Sequence, residues 1–376
     1  MRAPLAAAVS APYPYIMLWL CAPSAAASAP FTVHLPSSFP SATVGRVRLY
    51  LSSRCDAADP PPRAQCSDDQ DTSQVFGIDT PEGGLLPGSH VSIDVTTSGY
   101  PRHRLKDIPA GSYCVQADLF RYRRYKRGDG ANVTLPVSCV SDAGGDGAYG
   151  SPPGTLYSGV LKYVLVEPGG SVGPVAVHLQ HEVPKVASPG CSGKGADTEW
   201  IKTVRVQSSL LSSFWGSPIM LEACVLLPMG FDDHPHARYP LLVAHGHYSA
   251  TFQPGGRFDD TPPAEWRKRN LTGYAYIDQL YAYYLYTNWS APSAPHNPFY
   301  GARALVITIN QPVPFFDDAY SVDSANVGPY GSAIVQELIP AVEGRFRGIG
   351  EGWARGLLGG STGGWEAFAM QVQSQE

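Results

Sequence analysis

A serine stands among four glycines near the end of this 376-residue sequence, in the run Gly359-Gly360-Ser361-Thr362-Gly363-Gly364. The run contains a Gly-x-Ser-x-Gly pattern, which is typical of the turn that holds a nucleophilic serine above a central sheet. This turn from strand to helix is so tight that the positions two before and two after the serine must lack side chains, and Gly359 and Gly363 meet that requirement. The pattern predicts attack by the Ser361 hydroxyl on a carbonyl carbon, with formation of an acyl-enzyme.

Such an attack places negative charge on the carbonyl oxygen, which N–H donors must stabilise. The backbone N–H of Thr362, at the predicted start of the next helix, is the first candidate donor. A turn of sequence His245-Gly246-His247-Tyr248 follows an apolar run, and the N–H groups of His247 and Tyr248 are candidates for the second donor. We expect this chemistry to need no cofactor.

The histidines of that turn also raise the hypothesis of a metal site. His245 and His247 alternate along the chain, as do His234 and His236 beside a pair of aspartates. Alternation on predicted loops does not match a defined zinc ligand set, so we predict no metal site.

The elements around Ser361 are predicted to form a largely parallel sheet. A short strand at residues 355–359 precedes the serine, and a helix at 365–372 follows it. Residues 239–244 and 304–309 are nearly uninterrupted apolar runs, which are typical of strands covered on both faces. The remaining elements are an antiparallel pair at 201–207 and 219–227 and an amphipathic helix at 332–347 in which Pro340 predicts a kink or a break.

The first half of the chain shows a different pattern. From residue 31 to 183, short apolar or alternating runs are separated by Gly, Pro, Ser and Asp clusters, which predicts a β-sandwich-like domain. The runs are residues 44–51, 89–96, 111–120, 156–166 and 172–179. We therefore predict an α/β protein with a signal peptide at 1–29, a β-rich sandwich-like domain at 30–185, a linker at 186–198 and an incomplete α/β domain with a mostly parallel sheet at 199–376.

The N-terminus predicts secretion. Met1-Arg2 precedes a mostly apolar run, and the small residues at 24–29 suit signal-peptidase cleavage better than a membrane anchor. Asn132, Asn270 and Asn288 begin glycosylation triplets, which predicts a glycoprotein. The net charge of −5 argues against a nucleic-acid partner.

Cysteine parity supports an oxidising compartment. Seven cysteines are present, and removal of the segment with Cys21 leaves six, an even number that fits disulfides. Spacing does not fix the pairs, although Cys55 with Cys66 and Cys114 with Cys139 would each close a local loop. The alternative for Cys224 is a small buried hydrophobic residue inside its strand.

Two polar or aromatic stretches have two interpretations each. The basic run at residues 121–127 either binds an anionic polysaccharide or phosphate, or is a strand end with solvated cations and stacking tyrosines, which we favour. The tyrosines and tryptophan at 274–289 either stack on sugar or phenolic groups or pack against the sheet, and we favour packing. Asp317 and Asp318 follow a strand near the expected ligand edge, and we interpret them as solvated loop carboxylates.

Three segments of the second half, residues 239–247, 329–346 and 357–369, resemble the esterase family of α/β-hydrolases that includes S-formylglutathione hydrolase-like and feruloyl esterase-like enzymes. The resemblance spans about residues 198 to 376. It implies ester hydrolysis by Ser361, with backbone donors at Thr362 and near His247, on a small-molecule or polysaccharide-linked ester.

The sequence departs from that family because it lacks the acid and the histidine of the catalytic triad after the serine. In this fold the acid and the histidine follow the serine, yet only 15 residues follow Ser361 and none is Asp or His. A base role for His245, His247 or His296 would need an unusual geometry. We therefore expect a C-terminally truncated chain that is inactive alone and exposes a sheet edge prone to aggregation.

The sequence leaves three functional hypotheses. The first is a secreted serine ester hydrolase without stable membrane insertion. The second is an acyltransferase or serine peptidase on the same fold. The third is a non-catalytic glycan-binding or scaffold protein with a degenerate hydrolase domain.

Overall fold

The structure is a computed structural model. It describes residues 30–67, 72–137, 151–184, 191, 196–228, 230–246, 303–311, 313–314 and 319–374. Two larger sheets organise these residues, one in each half of the chain, and a third sheet has only two strands.

The first half forms a connected ten-stranded sheet. Its main path has the order β4-β1-β10-β8-β6-β2-β3-β5, and β7 and β9 also pair with β6. The strands are β1 (Phe31–His34), β2 (Gly45–Ser52), β3 (Gln74–Asp79), β4 (His90–Ile93), β5 (Gly99–Tyr100), β6 (Gly111–Lys126), β7 (Asn132–Pro136), β8 (Leu156–Ser158), β9 (Leu161–Val166) and β10 (Val175–Glu182).

Alternation of apolar and polar residues builds this sheet. In β1, Phe31 and Val33 are buried, whereas Thr32 and His34 lie on the opposite face, as a pleated strand requires. Buried side chains of eight of these strands, all except β5 and β7, meet in one cluster. The β-rich half is therefore confirmed, but its strands belong to one connected, curled sheet rather than to two separate layers. The predicted run at 156–166 is two strands, β8 and β9, separated by Gly159 and Val160.

A buried polar contact joins the central strands of this sheet. The Asp118 carboxylate on β6 is 0% exposed and accepts two hydrogen bonds from Arg48 on β2, at 2.8 and 2.7 Å. The hydroxyl of Tyr50 donates to the same carboxylate at 2.9 Å. Burial, and then the Asp118 charge, raise the pKa of Tyr50 well above its ordinary value, which keeps this phenol a donor.

The second half forms a five-stranded sheet in the order β11-β12-β14-β13-β17. The predicted antiparallel pair is present, since β11 and β12 run antiparallel. β12 also runs antiparallel to β14. The two parallel pairings of this sheet are those of β13 with β14 and of β13 with β17. The sheet is thus mixed, not mostly parallel as predicted. Its strands are β11 (Ile201–Ser208), β12 (Ile219–Leu226), β13 (Leu241–Ala244), β14 (Leu305–Asn310) and β17 (Arg355–Leu358), and β15 (Asp323–Ser324) and β16 (Gly328–Pro329) form the small hairpin.

Helices cover this sheet. They are α1 (Ser209–Trp215), α2 (Tyr330–Ala333), α3 (Ile339–Arg345) and α4 (Thr362–Gln373). A π-helical turn at Ile334–Leu338 joins α2 to α3 just before Pro340. Proline has no N–H to bond the preceding turn, so the backbone widens where a kink was predicted.

A hairpin of the first sheet packs into the core of the second. Tyr125, near the end of β6, is buried, lies 5.4 Å from the Trp215 ring and donates a hydrogen bond to the Pro314 carbonyl at 3.0 Å. Val133 and Leu135 of β7 pack against the same cluster. The basic run at 121–127 is therefore not a simple solvated strand end, because one of its tyrosines belongs to a packed interface.

Two disulfides are present among the described residues, Cys55–Cys114 and Cys191–Cys224. The local loop of Cys55 with Cys66, which the spacing allowed, is not formed, because Cys114 lies opposite the end of β2 and bonds to Cys55 across the sheet. Cys224 is buried as expected but bonded, so it is more than a small hydrophobic residue. Cys139 lies outside the described residues, and Cys66 carries a free thiol.

The Cys66 thiol is expected to react slowly with alkylating reagents. Burial raises its pKa from 9.0 to about 11, so the reactive thiolate is about a hundredfold scarcer near pH 8 than for an ordinary thiol. Iodoacetamide labelling, read on the Cys66 peptide by mass spectrometry, should accelerate as pH approaches 11 or when urea unfolds the chain. Fast labelling of the folded protein at pH 8 would contradict this burial.

No helix in the described ranges is long and apolar enough to cross a membrane.

Candidate functional site

Ser361 lies in the turn between β17 and α4. The strand ends at Leu358, the helix begins at Thr362, and Ser361 is exposed to solvent. Its backbone has φ 53° and ψ −123°, a combination that non-glycine residues rarely adopt. Strain of this kind is concentrated at functional sites, where the surrounding structure holds the backbone in place.

The glycines on either side make this turn possible. A Cβ atom at Gly359 would overlap the backbone carbonyl of Gly363, and a Cβ atom at Gly363 would lie 2.5 Å from the carbonyl oxygen of His245. In contrast, a Cβ atom at Gly360 would meet nothing within 4 Å. The requirement for glycine therefore applies to positions 359 and 363 and not to the glycine beside the serine.

The turn is fixed by backbone hydrogen bonds. The N–H of Gly363 donates to the Gly360 carbonyl at 2.9 Å, and the N–H of Trp365 donates to the Ser361 carbonyl at 3.1 Å. Thr362 is the first residue of α4, where backbone N–H groups lack partners within the helix. Its N–H is thus placed at the end of the helix that favours negative charge.

The loop after β13 packs directly against this turn. The N–H of His245 donates to the Leu358 carbonyl at 2.8 Å, and the backbone of His245 and Gly246 lies against Gly363. The predicted second donors, His247 and Tyr248, lie outside the described residues. The structure therefore brings Ser361, Thr362 and the start of the His-Gly turn together.

A buried cage holds the imidazole of His245. Its Nδ1 lies 3.2 Å from a carboxylate oxygen of Glu366 and 3.4 Å from the hydroxyl of Ser321. Gln311 contacts Ser321 twice, donating to its hydroxyl at 3.0 Å and accepting from its N–H at 3.1 Å. His245 and Glu366 are 4% and 2% exposed, so this histidine side chain is packed beneath the turn instead of facing solvent.

Sequence reasoning missed Glu366, Ser321 and Gln311. One signal was available for Glu366, because it shares the buried side of α4 with Gly363 and Met370 at helical spacing. A carboxylate on the buried side of a helix needs a partner, which here is His245. Ser321 and Gln311 gave no such signal, since both lie in short connections.

The other predicted residues do not join this site. His234 and His236 are exposed on a turn before β13, and Asp317, Asp318 and the aromatic stretch at 274–289 lie outside the described residues. Across the part of the chain that the structure describes, no three or more His, Cys, Asp or Glu side chains converge to hold a metal ion.

Comparisons with known proteins give the following. No model of a known protein family matches this sequence, and no curated protein matches it. Among solved structures, the chain is similar to a ferulic acid esterase, with 17% identity and a TM-score of 0.29 over 46% of this chain. It spans 55% of the length of that esterase. It is also similar to a thermostable esterase, with 11% identity and a TM-score of 0.27, over 92% of this chain and 73% of the other.

Proposed function

We propose that this protein is a serine ester hydrolase in which Ser361 is the nucleophile. The observation that supports it is the Ser361 backbone, strained at φ 53°, between a strand and a helix and flanked by two glycines that no other residue can replace without overlap. A turn that only connects β17 to α4 would not require a non-glycine residue with a strained backbone at its solvent-exposed position.

In the proposed reaction the Ser361 oxygen attacks the ester carbonyl carbon. The hydroxyl proton passes to a general base, the tetrahedral intermediate collapses, and the alcohol leaves with a proton. Water then attacks the acyl-enzyme and releases the acid, which restores the hydroxyl. The Thr362 N–H is proposed to stabilise the oxyanion, and His247 and Tyr248 are proposed for the second donor.

The Glu366–His245 contact is proposed to position this machinery. It connects α4 to the turn that leads to His247, so the two donors of the oxyanion site are carried by elements held together through one buried pair. We assign it no proton transfer to substrate, because both groups are buried under the turn.

The proposed substrate is a small-molecule or polysaccharide-linked ester, and the proposed location is extracellular. The disulfides Cys55–Cys114 and Cys191–Cys224 support an oxidising compartment. Asn132 of β7 is exposed, as a glycosylated asparagine must be.

A fluorophosphonate probe tests the nucleophile. The 376-residue chain, and a form that includes any in-frame continuation of its gene, are each treated with the probe. We expect labelling at Ser361 in at least one form, abolished by Ser361→Ala and kept in Ser374→Ala, a matched change at the end of α4. If the 376-residue chain itself is labelled, His247→Ala and His296→Ala test the two other candidate bases, and His245→Ala tests the positioning role of the buried pair.

Three results would contradict the proposal. A folded, extended form that is not labelled would favour the scaffold hypothesis, in which the turn has no catalytic role. Labelling that persists in Ser361→Ala would place the reactive serine elsewhere. If the probe labels Ser361 but only thioester or peptide substrates turn over, the acyltransferase or peptidase hypothesis replaces ester hydrolysis.

A further inference from the structure

Three histidines stand side by side on the outer face of the first sheet. His34 of β1 pairs in register with His90 of β4 on one side and with His178 of β10 on the other. Each neighbour along these strands, such as Val33, Val91 and Val177, is buried, so the three imidazoles share the opposite, solvent-facing side. Residues far apart in sequence thus form one row.

The rings are close enough to share a ligand. The His34 ring centroid lies 4.8 Å from that of His90 and 4.8 Å from that of His178, with interplanar angles of 34° and 28°. An imidazole bound to a late transition metal places its centroid about 3.2 Å from the ion, so two rings 4.8 Å apart subtend about 97° at the metal. That angle lies between those of square-planar and tetrahedral coordination.

A hydroxyl group of the same strand contacts the His34 ring. Its Nε2 lies 2.9 Å from the Thr32 hydroxyl. When that nitrogen donates its proton to Thr32, the lone pair of Nδ1 is available, and an oxygen behind the ring is the usual support for a metal-bound histidine.

We propose that His34, together with His90 or His178, binds one divalent late transition metal ion, with water completing the coordination. The two flanking rings lie on opposite sides of His34, so the row offers two competing pairs that share the central ligand. Among the residues that the structure describes, no three or more His, Cys, Asp or Glu side chains form a metal-binding group, so the proposed site uses two imidazoles. Imidazole ligands select Cu²⁺ over Ni²⁺ and Zn²⁺ and exclude Ca²⁺ and Mg²⁺, which prefer oxygen. This site is separate from Ser361 and does not depend on the proposed hydrolase function.

Calorimetric titration of the full chain with CuCl₂ at pH 7.5 tests the proposal. We expect the chain to bind one equivalent of Cu²⁺ saturably, and His34→Gln to lower the affinity by at least about tenfold. Loss of a metal ligand should cost at least as much affinity as loss of a residue that hydrogen-bonds to a ligand, for which about tenfold is the smallest typical effect. His90→Ala and His178→Ala alone should each keep binding, whereas the double variant should match His34→Gln. Thr32→Val should weaken binding by about tenfold. MgCl₂ should give no saturable heat.

The matched control is His181→Ala. His181 lies in β10, as His178 does, but its ring contacts Tyr157 and not the three-histidine row. This variant should leave Cu²⁺ binding unchanged, and so should His234→Ala with His236→Ala. Since the row faces solvent, circular dichroism should show every variant folded. Absence of a saturable Cu²⁺ site, equal binding by wild type and His34→Gln, or loss of the site in His181→Ala would each overturn the proposal.

Discussion

Gly363→Ala is expected to destabilise the protein by about 2 kcal/mol or more and to abolish labelling of Ser361 by a fluorophosphonate. The added methyl group would lie 2.5 Å from the His245 carbonyl oxygen and 2.8 Å from the Gly246 Cα, and both obstacles are backbone atoms that no side-chain rotation moves. Relief requires that α4 move away from the loop after β13, which would also move Ser361 away from the His-Gly turn. Urea unfolding and probe labelling measure the two effects.

Gly359→Ala and Gly360→Ala form a matched pair for this prediction. Gly359→Ala should behave like Gly363→Ala, because its methyl group would overlap the Gly363 backbone. Gly360→Ala meets nothing within 4 Å, so it should change stability by less than about 1 kcal/mol and in the stabilising direction. Equal stability and labelling of all three variants would show that the turn is not tightly packed against the His-Gly loop.

Asp118→Ala is expected to lower the free energy of unfolding by about 3–5 kcal/mol, the range typical of removing one partner of a buried charged pair. The carboxylate is fully buried and contacts both the Arg48 guanidinium and the Tyr50 hydroxyl. Its removal leaves a cation and a phenol in a region built for an anion. Chemical denaturation of the folded chain provides the measurement.

The control for Asp118 lies on the same strand system. Arg46 and Asp79 join β2 to β3 through a contact of 3.1 Å, but their side chains are 40% and 60% exposed. Solvent screening makes such a pair weak, so Asp79→Ala should change stability by less than about 1 kcal/mol. Similar losses in Asp79→Ala and Asp118→Ala would mean that burial does not set the strength of these contacts.

The turn around Ser361 was predictable because its cause is local. Glycines are required where the backbone passes close to itself within five residues, and that requirement is written directly in the spacing of Gly359 and Gly363. The π turn before Pro340 has a similarly local cause. The helix α1 was missed, although Ser208 caps its N-terminus through the Leu211 N–H and Gly216 ends it at φ 63°. Both signals lie in the Ser/Gly/Pro-rich stretch between the two strands of the antiparallel pair, and that composition predicts only a connection.

Contacts between distant parts of the chain were not predictable in this way. The Glu366–His245 pair joins residues more than a hundred positions apart, and no periodicity connects them. Spacing left the disulfide pairs open for the same reason, since Cys55 could close a short loop with Cys66, whereas strand register places Cys114 near Cys55. The mixed sheet depended on where β12 paired, which the apolar runs of β13 and β14 do not reveal.

The hairpin of β6 and β7 has a consequence for anyone shortening this protein. A cut at the connecting segment would remove Tyr125, Val133 and Leu135 from the cluster beneath the five-stranded sheet and leave the Trp215 ring and the Pro314 carbonyl facing water. A recombinant fragment that starts at residue 199 would lack these three side chains of its hydrophobic core. A shortened form built around Ser361 should therefore keep this hairpin of the preceding sheet.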